Sequence, residues 1–167
     1  FLVSRIDTLV DKQLEELGTE QAKALRGKAA IANAHLAWQA FLDFTAQENW
    51  QALQSAGAHV QRPLWASTGV KDPSYDDTRY VVELVAPNTV NTMPEATLNA
   101  VADHGVVRGD TVTGTYEAAQ QVWAELESLG ITANSVFAEL ETDGVNKFIA
   151  AWEQLLASID SALQGAK

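Results

Sequence analysis

The spacing of apolar residues shifts along this chain between short contiguous runs and helical stripes, and each shift predicts an element. Residues 1–6 (FLVSRI) form a compact, mostly apolar run that reads as a short strand. Asp7 then caps a helix running to about Leu17, with Gly18 as its stop. Thr19 caps the next helix, whose apolar positions Ile31, Trp38 and Phe41/Leu42 recur at helical spacing and whose alanines raise its propensity. A further helical piece covers residues 49–56. Arg62-Pro63 breaks the period, and residues 63–67 (PLWAS) read as a second, buried strand followed by a loop over 68–73. Residues 77–85 look helical, and residues 89–92 (TVNT) read as a third strand. Thr92-Met93-Pro94-Glu95 has the form of a capping box and predicts a helix over 93–103. A Gly- and Thr-rich loop spans 105–115. Helices are predicted over 116–129, with Val122, Leu126 and Leu129 on one face, and over 132–142. A last helix carries the stripe Val145, Phe148, Ile149, Trp152, Leu155, Leu156, Ile159 and Leu163.

The strands are short, β-rich and not alternating, as in a parallel sheet buried on both faces. Parallel strands need long crossovers, and the predicted helices supply them. The class is therefore α/β. Three parallel strands leave two unpaired edges and cannot close a barrel. The chain also starts inside a predicted strand, so residues 1–167 are expected to be the tail of something longer.

Composition narrows the picture further. An apolar fraction of 47% with 20% charged residues excludes a disordered chain. No apolar run approaches the roughly 18 residues of a membrane helix. The formal net charge of −11 disfavours nucleic acid and anionic membranes as partners. A small anionic substrate stays compatible, because a local basic pocket outweighs a distant, screened field. The absence of cysteine excludes disulfide and thiolate chemistry and fits a cytoplasmic protein. His35, His59 and His104 fall in no metal-ligand spacing. Trp38, Trp123 and Trp152 lie on helix stripes and are expected in the core, whereas the pattern leaves the direction of Trp65 open.

Chemistry in an α/β fold of parallel strands concentrates at the strands' C-terminal ends. That rule selects Arg5 beside Ser4, Ser67-Thr68-Gly69 leading to Lys71, and Asn91-Thr92. A guanidinium at position 5 suits bidentate capture of phosphate or carboxylate; an ion pair with Asp7 or Asp11 is the competing reading. Two hydroxyls, a glycine and the Lys71 ammonium make a phosphate cradle or, equally, an ordinary strand-to-helix turn. Lys71 as a Schiff-base nucleophile is disfavoured, since Asp72 beside it supports the charged amine. Thr92 is assigned to helix capping rather than to a ligand. No nucleophile–base pair, metal cluster or dinucleotide loop is recognisable in the pattern.

Several segments resemble transaldolases, notably of the actinobacterial type: residues 1–8 (FLVSRIDT), 24–34 (ALRGKAAIANA), 61–73 (QRPLWASTGVKDP), 85–95 (VAPNTVNTMPE) and 109–113 (GDTVT), with the closing helix around Phe148 and Trp152. The resemblance implies a (β/α)8 TIM barrel of the class I aldolase type, with residues 1–167 as the C-terminal part of one barrel domain supplying its last three strands and their helices. It implies transfer of a dihydroxyacetone unit between sugar phosphates through a lysine Schiff base, in the pentose phosphate pathway, without a metal or organic cofactor. The Schiff-base lysine would lie upstream of Phe1, so this chain is expected to carry no catalytic residue. Arg5 and Ser67 match family phosphate-binding positions. A second family arginine, two residues after the serine, is replaced here by Gly69, which leaves Lys71 as the nearest cation to substitute for it. The implied partners are sugar-phosphate substrates and the missing N-terminal part of the barrel, with homo-oligomerisation left open. Alternatives are another Schiff-base aldolase of the same barrel class or a non-catalytic barrel fragment.

Overall fold

A computed structural model describes residues 1–165 as two compact units, Phe1–Thr132 and the helical segment from Ala133 onward. The first unit runs α1 (Val3–Leu17), α2 (Glu20–Leu25), α3 (Ala29–Thr45), α4 (Glu48–Ser55), β1 (Leu64–Trp65), α5 (Arg79–Val82), β2 (Val90–Asn91), α6 (Glu95–His104) and α7 (Tyr116–Ser128). The second is a single helix, α8 (Ala133–Gly165).

The sheet is small and parallel. β1 pairs with β2 in the register Leu64↔Val90 and Trp65↔Asn91, and Leu2 bridges to Ala66 on the other side of β1. The expected parallel order is present, with helical crossovers, yet each strand is shorter than the apolar runs suggested. The first predicted strand is corrected most. Only Phe1 and Leu2 are extended, and α1 begins at Val3 instead of after a cap at Asp7. The reason is hydrogen bonding: the Val3 and Ser4 N–H groups, orphaned at a helix start, donate to the carbonyls of Ala66 (2.8 Å) and Ser67 (3.0 Å). Strand pairing and helix initiation therefore share one segment.

α1 buries Val3, Ile6, Val10 and Leu14 on one face. Gly18 ends it in the left-handed conformation, φ 65°, as expected. Thr19 caps α2, its hydroxyl oxygen accepting from Ala22 N–H at 3.2 Å. The long helix expected after Thr19 is interrupted at Arg26-Gly27-Lys28, because Gly27 adopts φ 70°, which no helix accommodates. α3 then packs on α1 and α7 through small residues, Ala29, Ala30, Ala32 and Ala34, all buried. Trp38 is buried as expected and stacks on Phe41 at 5.0 Å between ring centroids. Trp65 is fully buried, and its indole N–H donates to the Leu84 carbonyl at 3.0 Å.

Three further expectations are corrected. The helix over 77–85 is reduced to one turn at Arg79–Val82. Thr92 does not cap α6: Pro94 occupies the cap position, and the Thr92 hydroxyl donates instead to the Trp65 carbonyl at 3.2 Å. The two C-terminal helices are one, without a break at Thr142-Asp143-Gly144. The α8 stripe is also exposed rather than core, with Phe148 79% and Trp152 60% accessible. A lone helix has nothing within its own unit against which to bury such a stripe. Trp123 is half-buried on α7, where Leu126 of the same face is fully buried.

Candidate functional site

Ser4 and Ser67 meet just beyond the bridge between Leu2 and Ala66, where α1 starts beside the C-terminal end of β1. Ser4 lies in the first turn of α1, and Ser67 follows β1. Their hydroxyl oxygens are 2.9 Å apart, and the Ser4 N–H donates to the Ser67 carbonyl. Ser67 takes φ 57°, a left-handed conformation that residues with a Cβ rarely adopt. Such a conformation persists where surrounding contacts over-determine it, and it concentrates at functional sites. Ser4 is buried, whereas Ser67 is half-buried.

Arg5 is half-buried in the same first turn, with no ion-pair or side-chain hydrogen-bond partner among the described residues. The competing ion pairs with Asp7 and Asp11 are not formed, because both carboxylates are engaged elsewhere. Asp7 Oδ1 accepts from the Ala30 N–H at 2.8 Å, and Oδ2 accepts from the Tyr80 hydroxyl at 2.5 Å. Asp11 Oδ1 accepts from the Gly27 N–H at 2.8 Å, and Oδ2 accepts from the Tyr75 hydroxyl at 2.8 Å. Asp7 thus caps α3 across space, where Lys28 offers no side-chain cap.

Asp7, Asp11, Tyr75 and Tyr80 line a cleft of about 250 Å³ that also includes Ser4, Arg26 and Lys71. Lys71 is exposed, and no ion-pair partner faces it among the described residues. Asp72, its chain neighbour, is taken by the Arg26 guanidinium at 2.7 Å and by the Ser74 hydroxyl and N–H at 2.7 and 2.9 Å. Those bonds, the Ser74 hydroxyl first, hold the Asp72 carboxyl below its ordinary range. Arg26 also pairs with Glu15 at 2.9 Å. The Arg79 guanidinium sits 4.3 Å from the Tyr75 ring centre and donates to the Gly27 carbonyl. A Cβ on Gly27 would meet Arg79 Nη1 at 2.7 Å and Tyr75 Cζ at 2.8 Å, so glycine is required there for space as well as for φ.

The structure brings Ser67 to Ser4 and brings Lys71 into the cleft that Ser4 lines. Arg5 and Ser67 do not themselves line that cleft. Thr68 is removed from the expected cradle: it is fully buried, and its hydroxyl donates to the Thr92 carbonyl at 2.8 Å, strapping the two strand ends together. Asn91 is likewise committed, its amide donating to the Tyr80 carbonyl at 3.0 Å. At Gly69 an added Cβ would touch the Pro94 ring at 3.0 Å, so a larger residue there requires the proline to move. Sequence reading took Ser4 only as the neighbour of Arg5, Asp7 as a local cap and Asp7 or Asp11 as ion-pair partners of Arg5, and it missed Tyr75 and Tyr80. The available signal was polar residues spaced i, i+3 and i+7 on the apolar face of α1, at Ser4, Asp7 and Asp11.

Burial dominates the acid–base character of this cluster. It raises the Asp7 and Asp11 carboxyls above their ordinary range despite the bonds they accept, and it pushes the Tyr80 and Tyr75 phenols upward. The phenols therefore stay protonated donors. A raised carboxyl makes the folded chain bind more protons than the unfolded one between the ordinary value of 3.8 and the folded value. Stability from that source is fully present below 3.8 and is lost as pH rises through the folded value. Asparagine at position 7 cannot titrate. The stability of the native chain relative to Asp7→Asn should therefore decline with rising pH across that window in urea unfolding. A flat or rising difference would show that Asp7 is not protonated more readily in the folded state.

Residues 1–159 match the family model described as transaldolase/fructose-6-phosphate aldolase. A transaldolase of Renibacterium salmoninarum is 57% identical over 99% of this chain and 44% of its own length. A transaldolase of an Arthrobacter species is 56% identical over 100% of this chain and 45% of its own length. Transaldolase 1 of Streptomyces avermitilis is 58% identical over 99% and 44%. The chain thus spans less than half the length of these relatives.

Proposed function

This chain belongs to the transaldolase family, and from that premise we propose that it is a C-terminal portion supplying the phosphate-binding end of a Schiff-base transferase. In this reading its strands are the last three of a (β/α)8 barrel, and residues 1–167 work in the cytoplasm together with the upstream part of the barrel. The complete protein moves a dihydroxyacetone unit from a ketose phosphate such as fructose 6-phosphate to an aldose phosphate such as glyceraldehyde 3-phosphate. The nucleophilic lysine lies upstream of Phe1.

The observation that carries the reading is Arg5: half-buried, its side chain unpaired among the described residues, and next in the chain to Ser4 of the Ser4–Ser67 pair in the first turn of α1. An unpaired guanidinium and a hydroxyl are complementary to a phosphate dianion. The N-terminal end of the 15-residue α1 adds a favourable dipole. Lys71, exposed and unpaired, is the third member. Its contribution is a long-range charge that replaces the arginine absent at position 69. Holding the remote phosphate fixes the carbonyl over the lysine, so that binding energy appears as orientation.

In the complete protein, Arg5→Ala should raise KM for the phosphorylated donor about 10- to 100-fold, the equivalent of one or two charge-assisted hydrogen bonds. Borohydride trapping with fructose 6-phosphate should label a lysine outside residues 1–167. Labelling of Lys71, or an unchanged KM in Arg5→Ala, would overturn the assignment. The family description also names an aldolase; cleavage of the ketose phosphate without transfer to an acceptor would favour that second reading.

A further inference from the structure

We propose that Ser4 is a positioning residue for Ser67: its hydroxyl donates to Ser67 Oγ and leaves the Ser67 hydrogen for an oxygen of the substrate's phosphate. This rests on the phosphate reading above and assigns a role to a residue that neither charge nor resemblance singles out.

The two hydroxyl oxygens are 2.9 Å apart, and distance alone allows either to donate. Burial decides the direction. Ser4 is only 2% exposed, and Ser67 Oγ is the one side-chain partner of its hydroxyl among the described residues. A buried hydroxyl that does not use its hydrogen loses a bond that water would have supplied. Ser67 is half-buried, so it is not closed off from solvent as Ser4 is, and its hydrogen is the one of the pair that a ligand can take. The polarity therefore runs from Ser4 through Ser67 outward. Accepting a hydrogen bond also polarises the Ser67 O–H and makes it a better donor to an anion.

Ser4 constrains the backbone of Ser67 as well. Its N–H donates to the Ser67 carbonyl at 3.0 Å, on the residue whose φ is 57°. That conformation is unfavourable for any side chain bearing a Cβ and is maintained here by neighbours. Ser4 is itself held: it sits in α1, and its carbonyl accepts from the Thr8 hydroxyl at 2.9 Å. One rigid helical turn thus sets both the backbone and the hydroxyl of Ser67. Arg5, the next residue of the same turn, is placed by the same element.

The test is a double-mutant cycle in the complete protein, with fructose 6-phosphate as donor and unphosphorylated fructose as control. Ser4→Ala should raise KM for the phosphorylated donor about three- to tenfold, as loss of one neutral hydrogen bond predicts, with the change in KM rather than kcat. It should leave the reaction of unphosphorylated fructose unchanged. On a Ser67→Ala background, Ser4→Ala should add no further effect, because its target is gone. An undiminished Ser4→Ala effect on that background, or an equal loss with both sugars, overturns the proposal. A Ser67→Ala effect without any Ser4→Ala effect overturns it while leaving the phosphate reading intact. No effect of Ser67→Ala on the phosphorylated donor overturns both. Should Ser4→Ala fail to fold, Ser4→Cys, of similar shape with a weak donor, carries the same comparison.

Discussion

Truncating Trp65 to alanine should lower the unfolding free energy by about 3–5 kcal/mol, the range for removing a large buried aromatic. The magnitude follows from position. Trp65 is completely inaccessible, lies in β1, the strand that pairs with β2 on one side and is followed by the Leu2 bridge on the other, and faces the Phe1 ring at 5.5 Å between centroids. Removing the indole empties space that flanking backbone cannot refill, because both neighbouring segments are hydrogen-bonded to this strand. It also strands the Leu84 carbonyl, which accepts the indole N–H at 3.0 Å, and an unpaired buried acceptor costs a further fraction of that total. A single domain typically has about 5–15 kcal/mol in hand, so this one change consumes a large part of it. Trp65→Phe should be milder, since it keeps most of the volume and loses the bond to Leu84. Urea unfolding of the three forms checks the order; a loss below about 1.5 kcal/mol for Trp65→Ala would mean the site collapses far better than its packing implies.

Asp7→Ala is expected to cost about 2–4 kcal/mol. The substitution orphans two buried donors at once, the Ala30 N–H at the start of α3 and the Tyr80 hydroxyl, each worth about 1–3 kcal/mol when left without a partner. Relief from burying a carboxylate offsets part of this, which is why the estimate lies below the sum. Asp7 ties α1, α3 and α5 through one side chain, so the loss should appear as a cooperative drop in stability and not as local fraying. Asp7→Asn keeps one acceptor and should cost less. A neutral Asp7→Ala in thermal unfolding would show that water satisfies both donors and that the cross-helix cap is dispensable.

Much of the local structure is legible in the sequence alone. The left-handed stop at Gly18, the Thr19 cap, the second and third strands and their parallel order follow from patterns that span only a few residues. The failures share a different cause. Asp7 reads as an N-cap by its neighbours, but in space it caps α3 and leaves the start of α1 to the carbonyls of Ala66 and Ser67. Thr92 satisfies a capping-box pattern, yet its hydroxyl has a nearer acceptor in Trp65. Gly27 sits inside a helical period, yet it takes a left-handed φ against Arg79 and Tyr75, which lie 52 and 48 residues further along (79 − 27 and 75 − 27) and leave no room for a Cβ. In each case a tertiary partner outbid a local rule.

The candidate site divides along the same line. By itself the sequence determined the order of helices and parallel strands in the first unit and a resemblance specific enough to name a family, and it offered Arg5, Ser67 and Lys71 as candidates. The element order depends on residue type and periodicity, which the chain carries locally, whereas the preference for Arg5 and Ser67 is what the resemblance implies. Only the tertiary structure decided that Asp7 and Asp11 are occupied and Arg5 is not, that Thr68 turns inward, that Lys71 shares a cleft with Ser4, and that Ser4 grips Ser67. Those are questions of who pairs with whom across 20 to 70 residues of chain, roughly the separations of the bonds from Asp7 to Ala30 and Tyr80. A hydroxyl or carboxylate has several possible partners of equal chemistry, and only the packed fold, by bringing one of them within hydrogen-bond reach, selects among them.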